Sequence, residues 1–168
     1  MNGENADLPT LFAGQDALRR VVAPESVAAV VAEPVLGEGG LSYPPRDYFR
    51  AIQEICGRHG ILFVADEVQS GIARTGKWFA SEHFNIEPDL ITTAKSLGGG
   101  LPITFVTGRA EIMDAPEVGG LGSTFDGNPL SCVGALDTID MIKKEGLLRR
   151  AVEIGDRFGT HARRWQSK

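Results

Sequence analysis

Three short apolar runs punctuate the chain, and each stops at a charged group. Residues 27–32 (Val-Ala-Ala-Val-Val-Ala) stop at Glu33-Pro34. Residues 61–65 (Ile-Leu-Phe-Val-Ala) stop at Asp66-Glu67. Residues 90–94 (Leu-Ile-Thr-Thr-Ala) stop at Lys95, with Gly98-Gly99-Gly100 close behind. Unbroken aliphatic runs of this length predict strands buried on both faces, as in a parallel sheet, rather than the alternating strands of a half-solvated one. Pro34 cannot continue a central strand and fixes the end of the first run. Residues 103–107 predict a further short strand.

Helical periodicity fills the spaces between. Phe49, Ile52, Ile55 and Cys56 fall on one helical face, with Pro44-Pro45 suited to the first turn and Gly60 to the stop. Strand, helix and strand over residues 27–65 make a βαβ unit, expected to be right-handed. Short helices are predicted at 15–22 (Leu18, Val21 and Val22 on one face) and 78–84, with a helical turn at 109–114. A helix over 127–144 carries Leu130, Val133, Leu136, Ile139 and Ile142. Another over 147–165 repeats Ala151, Ile154, Phe158 and Trp165 on one face. Residues 36–43 and 116–126 are glycine-rich loops. Residues 68–77 hold two glycines, an arginine and two hydroxyls without periodicity, and read as a functional loop.

Composition narrows the partners. With 17 Lys and Arg against 22 Asp and Glu the net charge is −5. No basic stripe is present, which argues against nucleic acid and acidic membrane surfaces. A chain of 168 residues can bury one hydrophobic core. Cys56 and Cys132 lie far apart with no CxxC spacing, so reduced thiols on helices are expected and no metal site. The chain shows neither a signal-type apolar core nor a long apolar span, and a cytoplasmic protein is expected.

The charged strand ends carry the chemistry. Parallel sheets place ligands outside the carboxyl ends of their strands, and neighbouring strands lie about 4.8 Å apart. If the three runs are neighbours, Glu33, Asp66 and Lys95 share one crevice. A strand ending in Asp-Glu is also the magnesium-binding strand of P-loop ATPases, but that reading needs a Gly-x-x-x-x-Gly-Lys-Ser/Thr loop, which the chain lacks. Nucleotide binding on a doubly wound sheet is a remoter reading, since no GxGxxG follows a strand. Pyridoxal 5'-phosphate chemistry fits the groups present. A lysine at a strand end followed by mobile glycines can bond the cofactor aldehyde, and a carboxylate opposite can keep the pyridine nitrogen protonated. Ser123-Thr124, just ahead of the helix predicted at Gly127, can supply phosphate donors or a plain helix cap.

Taken together, these residues resemble a known family. Asp66-Glu67-Val68-Gln69-Ser70-Gly71, Arg74-Thr75-Gly76, Pro88-Asp89 and Ala94-Lys95-Ser96-Leu97-Gly98-Gly99-Gly100-Leu101-Pro102 are similar to the signature of class III aminotransferases. Glu33-Pro34-Val35 with Gly37-Glu38-Gly39-Gly40, and Gly122-Ser123-Thr124-Phe125 with Gly127-Asn128-Pro129-Leu130, continue the match. It is closest to the 4-aminobutyrate subgroup, followed by acetylornithine and ornithine aminotransferases.

The resemblance implies an α/β fold of fold type I, whose large domain is a mostly parallel sheet flanked by helices. Residues 27–146 then form part of that cofactor domain. Residues 1–26 are a polar N-terminal segment, and 147–168 a helix leading towards a further domain. It also implies a homodimer that moves an amino group from an ω-amino acid to 2-oxoglutarate. By matching position, Lys95 bears the internal aldimine and moves the proton. Asp66 pairs with the pyridine nitrogen, Val68 packs on the ring, and Gln69 lies near the phenolic oxygen. Ser123 and Thr124 serve the phosphate, Thr124 that of the neighbouring subunit. Glu33 matches the acid that pairs with a substrate-binding arginine. Arg74 matches the family loop with no assigned role.

Some positions depart from the pattern. Ile72-Ala73 stands where an aromatic and a glycine are more usual. Phe105 and Asp126 replace smaller residues, the first able to crowd the site and the second to put a charge near the phosphate. Family members are much longer, so a truncated, catalytically inactive fragment is the alternative to an active enzyme.

Overall fold

The computed structural model describes residues 23–122 and 127–166. Four strands form one mixed sheet: β1 (Ala29–Ala32), β2 (Leu62–Asp66), β3 (Leu90–Thr93) and β4 (Phe105–Gly108), in that spatial order. The first three run parallel and β4 is antiparallel to β3. The register sets Ala32 beside Ala65, and Asp66 beside Thr92. The mostly parallel sheet read from the apolar runs is therefore the observed one.

Helix α1 (Tyr48–His59) joins β1 to β2 and lays Phe49, Ile55 and Cys56 into the core. There Phe49 and Cys56 meet Ile61, Phe63, Phe84 and Ile86. The Phe49 and Phe84 rings meet edge to face at 4.9 Å, a favoured aromatic geometry. Gly60 ends the helix in the left-handed conformation at φ 66°, as its position predicts. Pro45 lies before the helix rather than in its first turn; its carbonyl accepts the Tyr48 N–H at 3.1 Å, so it bends the chain into α1. The short helix expected at 78–84 is a 3-10 helix over Ala80–Phe84.

After β4 come α2 (Ala110–Met113), α3 (Pro129–Glu145) and α4 (Leu147–Gln166). Gly146, at φ 63°, separates the last two. A second core forms where Ala135 and Ile142 of α3 meet Ile72, Ala73 and Leu97, with Trp78, Ile139 and Leu148 packed around them. Both cysteines are free; Cys56 is buried, Cys132 half-buried. Burial pushes the Cys56 thiol above its ordinary range.

Three expectations need correction. The β1 run does not form a strand buried on both faces. It lies at the sheet edge with alternate residues exposed, Val31 at 63%. Only β2 has the burial its sequence predicts. The expected inward face of α4 is uncovered: Ile154, Phe158 and Trp165 are all exposed. Along α3 the buried residues are Ser131, Ala135 and Ile142, while Leu130, Val133 and Leu136 face outward. In α3 and α4 the helical period was right but the cover lies on another face or is missing; in β1 the apolar run carried no sign that one face would be left open. The helix predicted at 15–22 lies outside the described residues.

Candidate active site

The three charged groups do converge on the carboxyl edge of the sheet. Glu33 directly follows β1, Asp66 closes β2, and Lys95 lies just beyond β3 on the adjacent strand. Asp66 Oδ1 accepts the Val68 N–H at 3.0 Å and the Thr92 hydroxyl at 3.2 Å. One carboxylate oxygen is thus committed to holding the side chain. Its Oδ2 takes no hydrogen bond among the described residues and is available to a ligand.

Lys95 Nζ donates to Gln69 Oε1. This acceptor is neutral, and Lys95 makes no ion pair among the described residues. Its backbone is strained, with φ 45° in the left-handed region that non-glycine residues rarely adopt. Such strain collects at functional sites, where surrounding structure holds it in place.

What holds it is α3. Lys95–Gly98 form one turn of 3-10 helix, followed by Gly99 at φ 58°. A methyl group on Gly99 would lie 2.9 Å from Thr138 Oγ1. One on Gly134 of α3 would lie 3.3 Å from the Gly98 carbonyl oxygen and 2.9 Å from a Leu101 methyl. Gly99, read from sequence with its neighbours as a source of mobility, therefore lets the lysine turn seat closely on α3, as Gly134 does from the helix side.

Glu33 Oε2 accepts the Gly37 N–H at 2.9 Å. Gly37 in turn lies against the Gln69 side chain. Glu33, Gly37, Gln69 and Lys95 thus form a continuous line of contacts across the ends of the three parallel strands. Val68 is half-buried, and its N–H serves Asp66. Phe105 opens β4 opposite Thr93 on the same edge and is 40% exposed.

The reading by residue type missed Glu67. It is buried to 1% exposure and accepts four hydrogen bonds. These come from the Ser70 hydroxyl at 2.7 Å, the Ala80 N–H at 3.0 Å, and the Ser81 N–H and hydroxyl at 2.7 and 2.6 Å. Glu67 thereby ties residues 68–81 to the end of β2 and fixes the loop that carries Gln69. The signal was period two: adjacent side chains leave an extended chain on opposite faces, so Asp66 and Glu67 cannot share a role.

Within that loop Ile72 and Ala73 sit at φ 54° and 71°. The Trp78 carbonyl takes both their N–H groups, at 2.7 and 3.4 Å. Ala73 thus occupies a left-handed position, which accounts for glycine being more usual there. Arg74 is exposed.

Ser123, Thr124 and Asp126 lie outside the described residues. The start of α3 is capped by Asn128, whose Oδ1 accepts the Leu130 and Ser131 N–H groups at 3.0 and 3.3 Å. The helix begins at Pro129, not at 127, and its cap is Asn128 rather than Ser123-Thr124.

A hollow of about 700 Å³ opens elsewhere, beside Cys56, Ile61, Asp89 and Arg109. It lies at the amino ends of β2 and β3, where Asp89 accepts the Phe63 N–H at 2.8 Å and pairs with Arg109 at 2.9 Å. That is the opposite edge from Asp66 and Lys95, and the chemistry of the strand ends outweighs its size.

Comparison with known proteins agrees with this geometry. The class-III aminotransferase family model matches residues 10–168, and the chain belongs to that family. It is 48% identical over 168 residues to the probable 4-aminobutyrate aminotransferase of Bacillus subtilis (strain 168), covering all of this chain and 38% of that protein. It is 53% identical over 131 residues to the leucine/methionine racemase of Thermococcus litoralis, covering 78% of this chain and 30% of the racemase. Among solved structures, ornithine aminotransferase from Toxoplasma gondii superposes with a TM-score of 0.84 at 39% identity. That match covers 92% of this chain and 35% of the other, which carries the cofactor PLP at its active site in partial occupancy. The chain thus spans about a third of the length of the relatives it matches. The α/β fold of the pyridoxal-phosphate aminotransferases, expected from the motifs, is the fold of this chain.

Proposed function

We propose that this chain is the central part of the cofactor domain of a pyridoxal-phosphate aminotransferase. Its reaction moves an amino group from an ω-amino acid of the 4-aminobutyrate type to 2-oxoglutarate. The observation that carries the reading is the pairing of Asp66 and Lys95 on adjacent parallel strand ends. Asp66 keeps one oxygen free, and Lys95 is held by a neutral acceptor. This donor set suits the cofactor: an amine for its aldehyde and a carboxylate for its ring nitrogen.

Pyridoxal phosphate, when bound, supplies an electron sink that weakens the C–H bond at the amino-bearing carbon. Lys95 Nζ is the attachment point and the base that moves the proton. Asp66 Oδ2 holds the proton on the ring nitrogen, while Val68 N–H and the Thr92 hydroxyl keep that carboxylate aimed. Val68 packs on the ring and Gln69 serves its phenolic oxygen. Ser123 and Thr124 serve phosphate, Thr124 across a homodimer interface, and Glu33 faces the substrate side. Family membership and the 4-aminobutyrate relatives support the substrate class, and a cytoplasmic homodimer belongs to the same proposal.

Borohydride reduction after incubation with pyridoxal phosphate tests the assignment. Mass spectrometry is expected to find the pyridoxyl group on Lys95 and to lose it in Lys95→Ala. A folded wild-type protein labelled equally on other lysines, or not at all, overturns it.

The share of its relatives that the chain spans favours a second reading for the 168 residues taken alone, as a piece without turnover. Amino transfer from 4-aminobutyrate to 2-oxoglutarate by the purified 168-residue chain would rule that out.

A further inference from the structure

We propose that Gly37 is a positioning residue for Lys95: the space left by its missing side chain seats Gln69 against the lysine amine, and Glu33 fixes Gly37 in that place. The role of Lys95 rests on the function proposed above; the seating does not.

Glycine at this position is not a backbone requirement. Gly40, in the same loop, has φ 115°, but Gly37 is outside the left-handed region and any residue could adopt its conformation. What Gly37 lacks is room. A methyl group there would lie 2.8 Å from Gln69 Cγ, 3.4 Å from Gln69 Cβ and 3.3 Å from Glu33 Oε2. Carbon atoms in contact normally sit about 3.5–4.0 Å apart.

Gln69 Cγ is in the middle of its side chain. It can move away only by rotating bonds that carry Oε1 with them, and Oε1 is the acceptor for Lys95 Nζ. The loop cannot retreat instead. The Gly37 N–H is held by Glu33, and the Gly37 carbonyl accepts the Gly40 and Leu41 N–H groups at 3.1 and 3.2 Å. The Leu36 N–H is fixed to the Ser42 carbonyl at 3.0 Å. A methyl group at 37 is therefore accommodated by displacing Gln69 and freeing the lysine amine.

Acylation of Lys95 by an amine-reactive ester at neutral pH, mapped by mass spectrometry in the intact protein, reads this directly and needs no cofactor. Lys77 and Lys143 serve as internal references. An amine held in a hydrogen bond must leave it before it can attack the ester, and losing that bond is worth up to about tenfold. Gly37→Ala is expected to speed Lys95 acylation about three- to tenfold. Gln69→Ala should do the same, and the double variant no more than Gln69→Ala alone, because both remove one interaction. Wild-type rates in Gly37→Ala, or two effects that multiply, would overturn the proposal.

Should Gly37→Ala fail to fold, Gln69→Ala in the same chain removes the clash and is expected to restore folding; failure to restore it also overturns the proposal. If pyridoxal phosphate does not label Lys95 while the acylation pattern holds, the proposed function fails and the seating stands.

Discussion

Lys95 and Ala73 are held in the same rare backbone region for different reasons. At Lys95 the strain accompanies a reactive amine and is held by a glycine-lined contact with α3. At Ala73 it accompanies burial in the second core. A left-handed alanine costs about 1–2 kcal/mol. Against that stand about 0.8 kcal/mol from burying its methyl group and about 0.4–1 kcal/mol of unfolded-state entropy that glycine would add. Ala73→Gly is therefore expected to change stability by less than about 1 kcal/mol in either direction. Ala73→Val, β-branched at positive φ in a packed site, should cost more than about 2 kcal/mol. Urea unfolding of the three proteins checks this, and a glycine variant stabilised well beyond that range would show that the methyl group packs against nothing.

Among elements, the loop from Val68 to Ser81 depends most on one side chain. Glu67 Oε1 accepts both donors of Ser81, and Oε2 those of Ser70 and Ala80. Glu67→Ala leaves two backbone N–H groups and two hydroxyls without their acceptor and is expected to cost about 3–5 kcal/mol. Glu67→Gln keeps one oxygen and should cost about 1–3 kcal/mol. Chemical denaturation reads both values, and equal losses would mean that the oxygen glutamine keeps contributes nothing. The loop's far side packs on α4, where a methyl group on Gly76 would lie 2.4 Å from Val152 Cγ2. The loop bearing Gln69 is thus fixed at both ends, by a buried carboxylate and by a helix.

At the scale of the molecule, the sheet and α4 have uncovered apolar surface. Phe158 and Trp165 stand edge to face at 6.3 Å on the exposed side of α4, with Ile154 beside them in the helical repeat. Val133 and Leu136 of α3 and Val31 and Val106 of the sheet are also exposed. An exposed apolar stripe such as Ile154, Phe158 and Trp165 marks an interaction site or an aggregation surface. The 168-residue chain alone is expected to self-associate at micromolar concentration, and the pair Phe158→Glu and Trp165→Glu to reduce that association, as read by light scattering. A wild-type chain that stays monomeric would contradict it. Among the described residues no helix is long and apolar enough to cross a membrane.

The sequence by itself marked the strands, the parallel sense of the first three, the helix stop at Gly60, and Glu33, Asp66 and Lys95 as strand ends that share one edge if their strands are neighbours, a condition the sheet order then met. Apolar period, left-handed glycines and the strand-end rule are local or depend only on topology. Tertiary structure decided which faces are covered, because period two or 3.6 marks a face without saying what packs on it. It also decided that Glu67 turns inward to the Ser70–Ser81 loop, that Gly98, Gly99 and Gly134 serve close packing, and that Gly37 backs Gln69. Those contacts join residues up to several tens of positions apart, and only the folded chain brings them within reach.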